Sequence, residues 1–179
     1  MSYTDTPKDK ARSVRLLALD VDGVLTDGSL YFHADGSESK VFNSLDGHGI
    51  KMLQASGLEV AIITGRRSKM VEQRAQALGI KTLFQGREDK LAVLKTIKKN
   101  KHLDWGQIAY CGDDLPDLAA IKASGLGITV PNAPEYMVQH ADMCTNRKGG
   151  QGAVREVCDF IMQAQGTLQD ALDHYILGC

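Results

Sequence analysis

Leu17-Ala18-Leu19-Asp20-Val21-Asp22-Gly23-Val24-Leu25-Thr26-Asp27-Gly28 is the stretch whose reading decides the fold. An aliphatic run stops at two carboxylates and gives way to a turn punctuated by glycine. A run with no polar alternation marks a strand covered on both faces, which belongs to parallel sheets wrapped by helices. Starting at residue 14, this first strand is followed by similar β-branched and aliphatic runs at 59–63, 82–84, 107–110 and 127–130. Segments of helical period lie between and after them, at 49–56, 68–78, 89–99, 115–123 and from about 152 to 164. The alternation predicts an α/β fold, a Rossmann-like parallel sheet with helices on both faces.

One segment breaks the alternation. Residues 29–42 hold Leu30-Tyr31-Phe32 and Val41-Phe42, separated by Ala34-Asp35-Gly36-Ser37. Asp-Gly between two such runs is a hairpin signal. One helix and one strand fill the interval from Thr64 to Lys90, and again from Lys90 to Asp113, so there is no room for a cap domain. The hairpin is left as the one candidate flap, and its apolar residues suit either a subunit interface or packing on their own domain.

With 179 residues, the chain is long enough for one good core and short for two, so residues 1–179 read as a single domain. Its 43% hydrophobic and 24% charged residues argue against disorder, and no apolar run approaches the roughly 20 residues of a membrane span. A net charge of -1 provides no basic field for nucleic acid, though a small anion needs only a local cluster of cations. Residues 1–13 are polar with no apolar signal core and read as a flexible tail, which leaves the cytoplasm as the expected location. Cys111, Cys144, Cys158 and Cys179 lack metal-ligand spacing and read as buried or incidental thiols, with the role of Cys179 left open.

The chemistry gathers at strand ends. If strand geometry persists, Asp20 and Asp22 point to the same side of the sheet's carboxyl edge. An aspartate there can attack phosphorus and form an acyl phosphate, and a second carboxyl can protonate the leaving oxygen and later deprotonate water. A turn with capping aspartates is the plainer alternative. After the fourth strand, Gly112-Asp113-Asp114-Leu115-Pro116-Asp117 offers oxygen ligands for Mg²⁺, Asp113 first, while Asp114 and Asp117 suit either the metal or a helix cap. Thr64, Gly65 and Arg66 follow the second strand, where a hydroxyl and helix-terminal N–H groups can seat a phosphate. Lys90 opens a helix against the dipole, so some negative charge should hold it there.

In this order, Asp20-Val21-Asp22-Gly23, Thr64, Lys90 and Gly112-Asp113-Asp114 resemble the four motifs of the haloacid dehalogenase superfamily. The resemblance implies Asp20 as nucleophile, Asp22 as acid/base, Thr64 and Lys90 as phosphate binders, and a Mg²⁺ site of Asp20, Asp22 through its carbonyl, and Asp113. An acid/base at Asp22 is similar to the phosphatases of that superfamily rather than the dehalogenases. Residues 22–28, the hairpin, residues 42–50 and residues 149–156 further resemble the 3-deoxy-D-manno-octulosonate 8-phosphate phosphatase family of lipopolysaccharide biosynthesis. That family's pattern implies a homotetramer, with substrate contacts from Asn43, Ser44, Leu45, Asp46, Gly47, Lys51, Gly65, Arg66 and Arg74. The C-terminal stretch could close over a neighbouring site. The alternatives are a phosphatase for a nonulosonate 9-phosphate or another sugar phosphate, and a non-catalytic oligomerisation module of the same fold.

Overall fold

Residues 5–178 are described by the computed structural model. Six parallel strands form the main sheet: β1 (Leu16–Leu19), β4 (Glu59–Ile63), β5 (Thr82–Phe84), β6 (Ile108–Cys111), β7 (Leu126–Thr129) and β8 (Met143–Cys144). A separate antiparallel pair, β2 (Tyr31–Phe32) and β3 (Glu38–Ser39), is the hairpin. The order across the main sheet is β5-β4-β1-β6-β7-β8. The chain therefore builds outward from β1 in one direction, then crosses back to lay β6 on its other side. The crevice between the carboxyl ends of β1 and β6 is the topological switch point, where open α/β sheets bind ligands.

The unbroken aliphatic run of β1 is explained by two cores. Leu17 and Leu19 face one core with α2 (Ser44–Ala55), α3 (Lys69–Ala77) and α7 (Ala153–Gln165). Leu16 and Ala18 face the other, with α4 (Lys90–Asn100), α5 (Leu115–Ala123) and α6 (Glu135–His140). All four residues are buried, as a strand covered on both faces requires.

Helix α2 begins five residues before the expected start at residue 49, with Asn43 Oδ1 accepting from Leu45 N–H as N-cap. Gly47 and Gly49 disguise the first turn because glycine is a poor helix former. Close packing compensates: a Cβ on Gly47 would lie 2.3 Å from the Arg74 guanidinium, and one on Gly49 would lie 2.8 Å from Arg155.

The reading of residues 1–13 as a flexible tail is corrected. Residues 1–4 lie outside the described residues, but Pro7–Ala11 form α1, closed by a Thr6–Asp9 capping box. Ala11 is buried in the first core, and Lys10 pairs with Asp142. The short helix α6, the strand β8 and the last helix α8 (Leu168–Ile176) were also missing from the sequence reading. Gly166, at φ 77°, ends α7 and separates it from α8.

Candidate active site

β1 and β6 deliver Asp20 and Asp113 to neighbouring strand ends, and the Asp20 N–H extends the ladder by donating to Cys111 O at 3.0 Å. Lys90 opens α4 and is nearly buried. Its ammonium lies 2.9 Å from Asp20 Oδ1 and 2.7 Å from Asp117 Oδ1. These two carboxylates are what hold a cation against the helix dipole. Burial alone would lower the Lys90 pKa, but Asp20 and Asp117 outweigh it and hold the ammonium above its usual range.

Asp117 occupies the centre of this floor and is fully buried. Its Oδ1 also accepts from the Tyr110 hydroxyl at 2.6 Å, and its Oδ2 accepts from the N–H groups of Asp113 and Asp114 at 3.2 and 3.3 Å. Asp114 is an exposed cap whose side chain accepts from Leu115 N–H. Asp117 completes that capping box and meets this floor as well. Tyr110 was read only as strand filling, because nothing in a buried tyrosine's sequence context distinguishes packing from a hydroxyl partner.

Ligand oxygens of Asp20, Asp113 and Asp117 lie within 4.8 Å of one another. Burial first, then Asp117, pushes the Asp20 carboxyl up to about 8, with Lys90 pulling the other way. The same two causes push Asp113 to about 7. Three hard oxygen donors facing a single ammonium fit a divalent cation of the Mg²⁺ type. The floor is closely built: a Cβ on Gly23 would lie 1.9 Å from Asp113 Oδ2, and one on Gly112 would lie 2.3 Å from Asp117.

The wall above this floor comes from distant segments. Val21 O accepts from Val24, Leu25 and Thr26 N–H groups, which turns the chain sharply after Asp20. Gly149 and Gly150 pack into that turn, where a Cβ on Gly149 would fall 1.8 Å from Gly23 O. Asn132 joins the two pieces, donating to Gly23 O and accepting from Gly149 N–H. The Asp22 carboxylate is paired with Lys40, which comes from the end of the hairpin, whereas Asp20 is paired with Lys90. Lys40 escaped the sequence reading, since a lone lysine after a hairpin usually faces water.

Thr64 is buried beside the floor, with its N–H donating to Phe84 O at 2.9 Å, and Gly65 and Arg66 follow it. Arg66 reaches Glu38 of β3 at 2.9 Å and lies over the Phe32 ring at 5.9 Å. Arg74 donates to Asn43 O at 3.0 Å and lies over Phe42, so it braces the start of α2. Asn43 Nδ2 also donates to Gly150 O, while Ser44 and Leu45 are exposed.

Asp46 is buried, and its Oδ1 accepts from Arg155 N–H at 2.8 Å in the first turn of α7. Lys51 lines a groove of about 600 Å³ between α2 and α8, together with Asp170 and His174.

Residues 82–157 match the family model described as haloacid dehalogenase-like hydrolase. The 3-deoxy-D-manno-octulosonate 8-phosphate phosphatase KdsC of Salmonella typhi is 46% identical over 162 residues, 90% of this chain and 86% of that protein. The crystal structure of the Moraxella catarrhalis 3-deoxy-D-manno-octulosonate 8-phosphate phosphatase, in complex with magnesium ion, phosphate ion and a KDO molecule, superposes with a TM-score of 0.93. It is 43% identical, over 94% of this chain and 97% of that one. The Yersinia pestis phosphatase of the same name superposes with a TM-score of 0.90 at 45% identity, over 92% and 89% of the two chains.

Proposed function

The chain belongs to the 3-deoxy-D-manno-octulosonate 8-phosphate phosphatases among the haloacid dehalogenase-like hydrolases, and from that premise we propose that it releases Kdo and phosphate through an aspartyl-phosphate on Asp20. The observation that carries this reading is the floor itself: a buried carboxylate at the switch point of the sheet, 2.9 Å from a buried ammonium, with a second carboxyl two residues on.

In the first half-reaction an Asp20 oxygen attacks phosphorus, the ester P–O bond breaks, and Asp22 gives its proton to the departing sugar oxygen. In the second, Asp22 takes a proton from water, the water oxygen bonds to phosphorus, and the bond to Asp20 breaks. Thr64 and Lys90 hold phosphoryl oxygens through both halves. Asp20, the Asp22 carbonyl and Asp113 would hold Mg²⁺, with Asp117 supporting them. A divalent cation there offsets the negative charge that the carboxylates and phosphate bring to one point.

Arg66 takes the sugar acid's carboxylate, since a guanidinium fork matches a carboxylate in two bonds. Asn43, Ser44, Leu45 and Gly47 form the facing wall with Arg74 as brace. Asp46, which accepts from Arg155 N–H, and Lys51, which borders the groove between α2 and α8, are left out of that set.

The assembly completing this site is a homotetramer, with the hairpin as a flap at a subunit boundary. Leu30, Tyr31 and Phe32 are 48, 44 and 64% exposed in the protomer and belong to neither core. A two-stranded ribbon of this size needs something to pack on. Among the described residues no helix is long and apolar enough to cross a membrane. We read the chain as one domain, because the floor and wall of the site together draw on residues from Asp20 to Gly150.

A panel of sugar and sugar-acid phosphates, scored by phosphate release, tests the assignment. The octulosonate 8-phosphate should give the highest kcat/KM. A clear preference for a nonulosonate 9-phosphate, or for a phosphorylated neutral sugar, would overturn the substrate, and no release from any ester would overturn the enzyme.

A further inference from the structure

Two charged groups of the site are gripped by the second arm of the hairpin and the residue that follows it. Glu38 lies in β3 and Lys40 follows directly after that strand. Glu38 bonds to Arg66 on the loop after β4, and Lys40 pairs with Asp22 on the loop after β1. Phe32 stands directly across from Glu38 in the hairpin register, and directly opposed residues share a face. Arg66 therefore docks on a prepared surface, an aromatic ring beside a carboxylate.

The two grips differ in strength. The Lys40 side chain is 3% exposed, so separating it from Asp22 would strand a desolvated charge. Arg66 and Glu38 are 41 and 30% exposed, and water screens their attraction. Arg66 also gives Glu38 one bond, from Nη2 to Oε1, where an incoming carboxylate could take two. The strand thus stays anchored at Lys40 while its Glu38 contact can exchange.

We propose that Glu38 is an internal competitor for Arg66: its carboxylate occupies Arg66 in the ligand-free enzyme as a surrogate for the substrate carboxylate, which must displace it to gain Arg66 and binds more weakly for having to do so. This rests on the reading that Arg66 receives the carboxylate of a sugar-acid phosphate. A phosphorylated neutral sugar has nothing with which to displace Glu38 and meets an arginine that is already satisfied. Lys40 acts as a positioning residue, keeping the strand in register through the exchange.

Steady-state kinetics of Glu38→Gln, Arg66→Ala and the double variant separate the possibilities, using 3-deoxy-D-manno-octulosonate 8-phosphate and a phosphorylated neutral sugar. Glutamine keeps the shape and a hydrogen bond but removes the charge, and thermal unfolding checks each fold. Glu38→Gln should raise the ratio of kcat/KM for the sugar acid over the neutral sugar about threefold, within the range of an exposed pair, through KM rather than kcat. In the Arg66→Ala background the same change should have no effect on that ratio. If Arg66→Ala raises KM for the sugar acid while Glu38→Gln leaves the ratio unmoved or lowers it, the surrogate role falls and the substrate reading stands. If Arg66→Ala does not raise that KM, both fall.

Discussion

The floor of the site and the hairpin above it are built in opposite ways. On the floor, Asp20, Lys90 and Asp117 are 6, 4 and 0% exposed, and each is fixed by partners from a different strand or helix. In the hairpin, residues 31–37 are exposed, and the ribbon is held to the rest of the protomer through Glu38 and Lys40. Desolvated pairs cannot separate without stranding a charge, whereas screened pairs trade partners easily. Bond making is thereby assigned to groups that do not move, and discrimination to groups that can.

The contrast is broken most severely by removing the floor's nucleophile. Asp20→Asn should lower turnover by about three orders of magnitude or more, as loss of a nucleophile does in other covalent enzymes. The melting temperature of the metal-free protein should hold, because asparagine keeps the size of a carboxyl that, raised to about 8, is already largely protonated near neutral pH. Asp22→Asn should also lower turnover by orders of magnitude, and near-normal turnover in the Asp20 variant would eliminate the covalent route.

Withdrawing the cation comes next. Chelator should abolish activity, and pH should tune the metal's effect on stability. Asp20 and Asp113, raised to about 8 and about 7, keep protons in the metal-free native state that the unfolded chain, near 3.8, has released. Metal-free stability therefore falls as pH rises through that window. Mg²⁺ needs the ionised carboxylates, so its binding releases protons and tightens with pH. The melting-temperature gain on adding Mg²⁺ should be larger at about pH 8 than at about pH 6, and the reverse order would contradict the shared carboxylate site.

The smallest effect on the protomer should come from the hairpin. Tyr31→Asp combined with Phe32→Asp should convert a tetramer to smaller species by sedimentation, with activity falling alongside. Protomer stability should change by no more than about 0.5 kcal/mol, as for exposed positions generally. A fully active monomer would sink the idea that neighbours complete the site.

The same contrast governs what could be read from sequence. Asp20, Thr64, Lys90 and Asp113 were legible because each follows a strand or opens a helix, and local pattern locates such places. The strand expectations at 107–110 and 127–130 missed by one residue at each end, the strands running over Ile108–Cys111 and Leu126–Thr129. Tyr110, Lys40 and Asn132 were illegible because their partners lie 7, 18 and 109 residues away and only the fold brings them together. Asp117 was half legible: its cap could be foreseen, but not its contact with Lys90. The helix at Pro7–Ala11 was hidden by its polarity, since its main tie to the core is Ala11.

The wedge of Gly149 and Gly150 into the turn after Asp20 bears on how the enzyme comes into being. β1 leaves the ribosome early, yet the turn that aims its aspartate is completed by Asn132 and Gly149, more than a hundred residues later in synthesis. Contacts of such long separation close late in folding. A nascent chain would thus carry its nucleophile for most of translation without the surroundings that make it reactive, and competence would arrive in one step, as the last third of the protein docks.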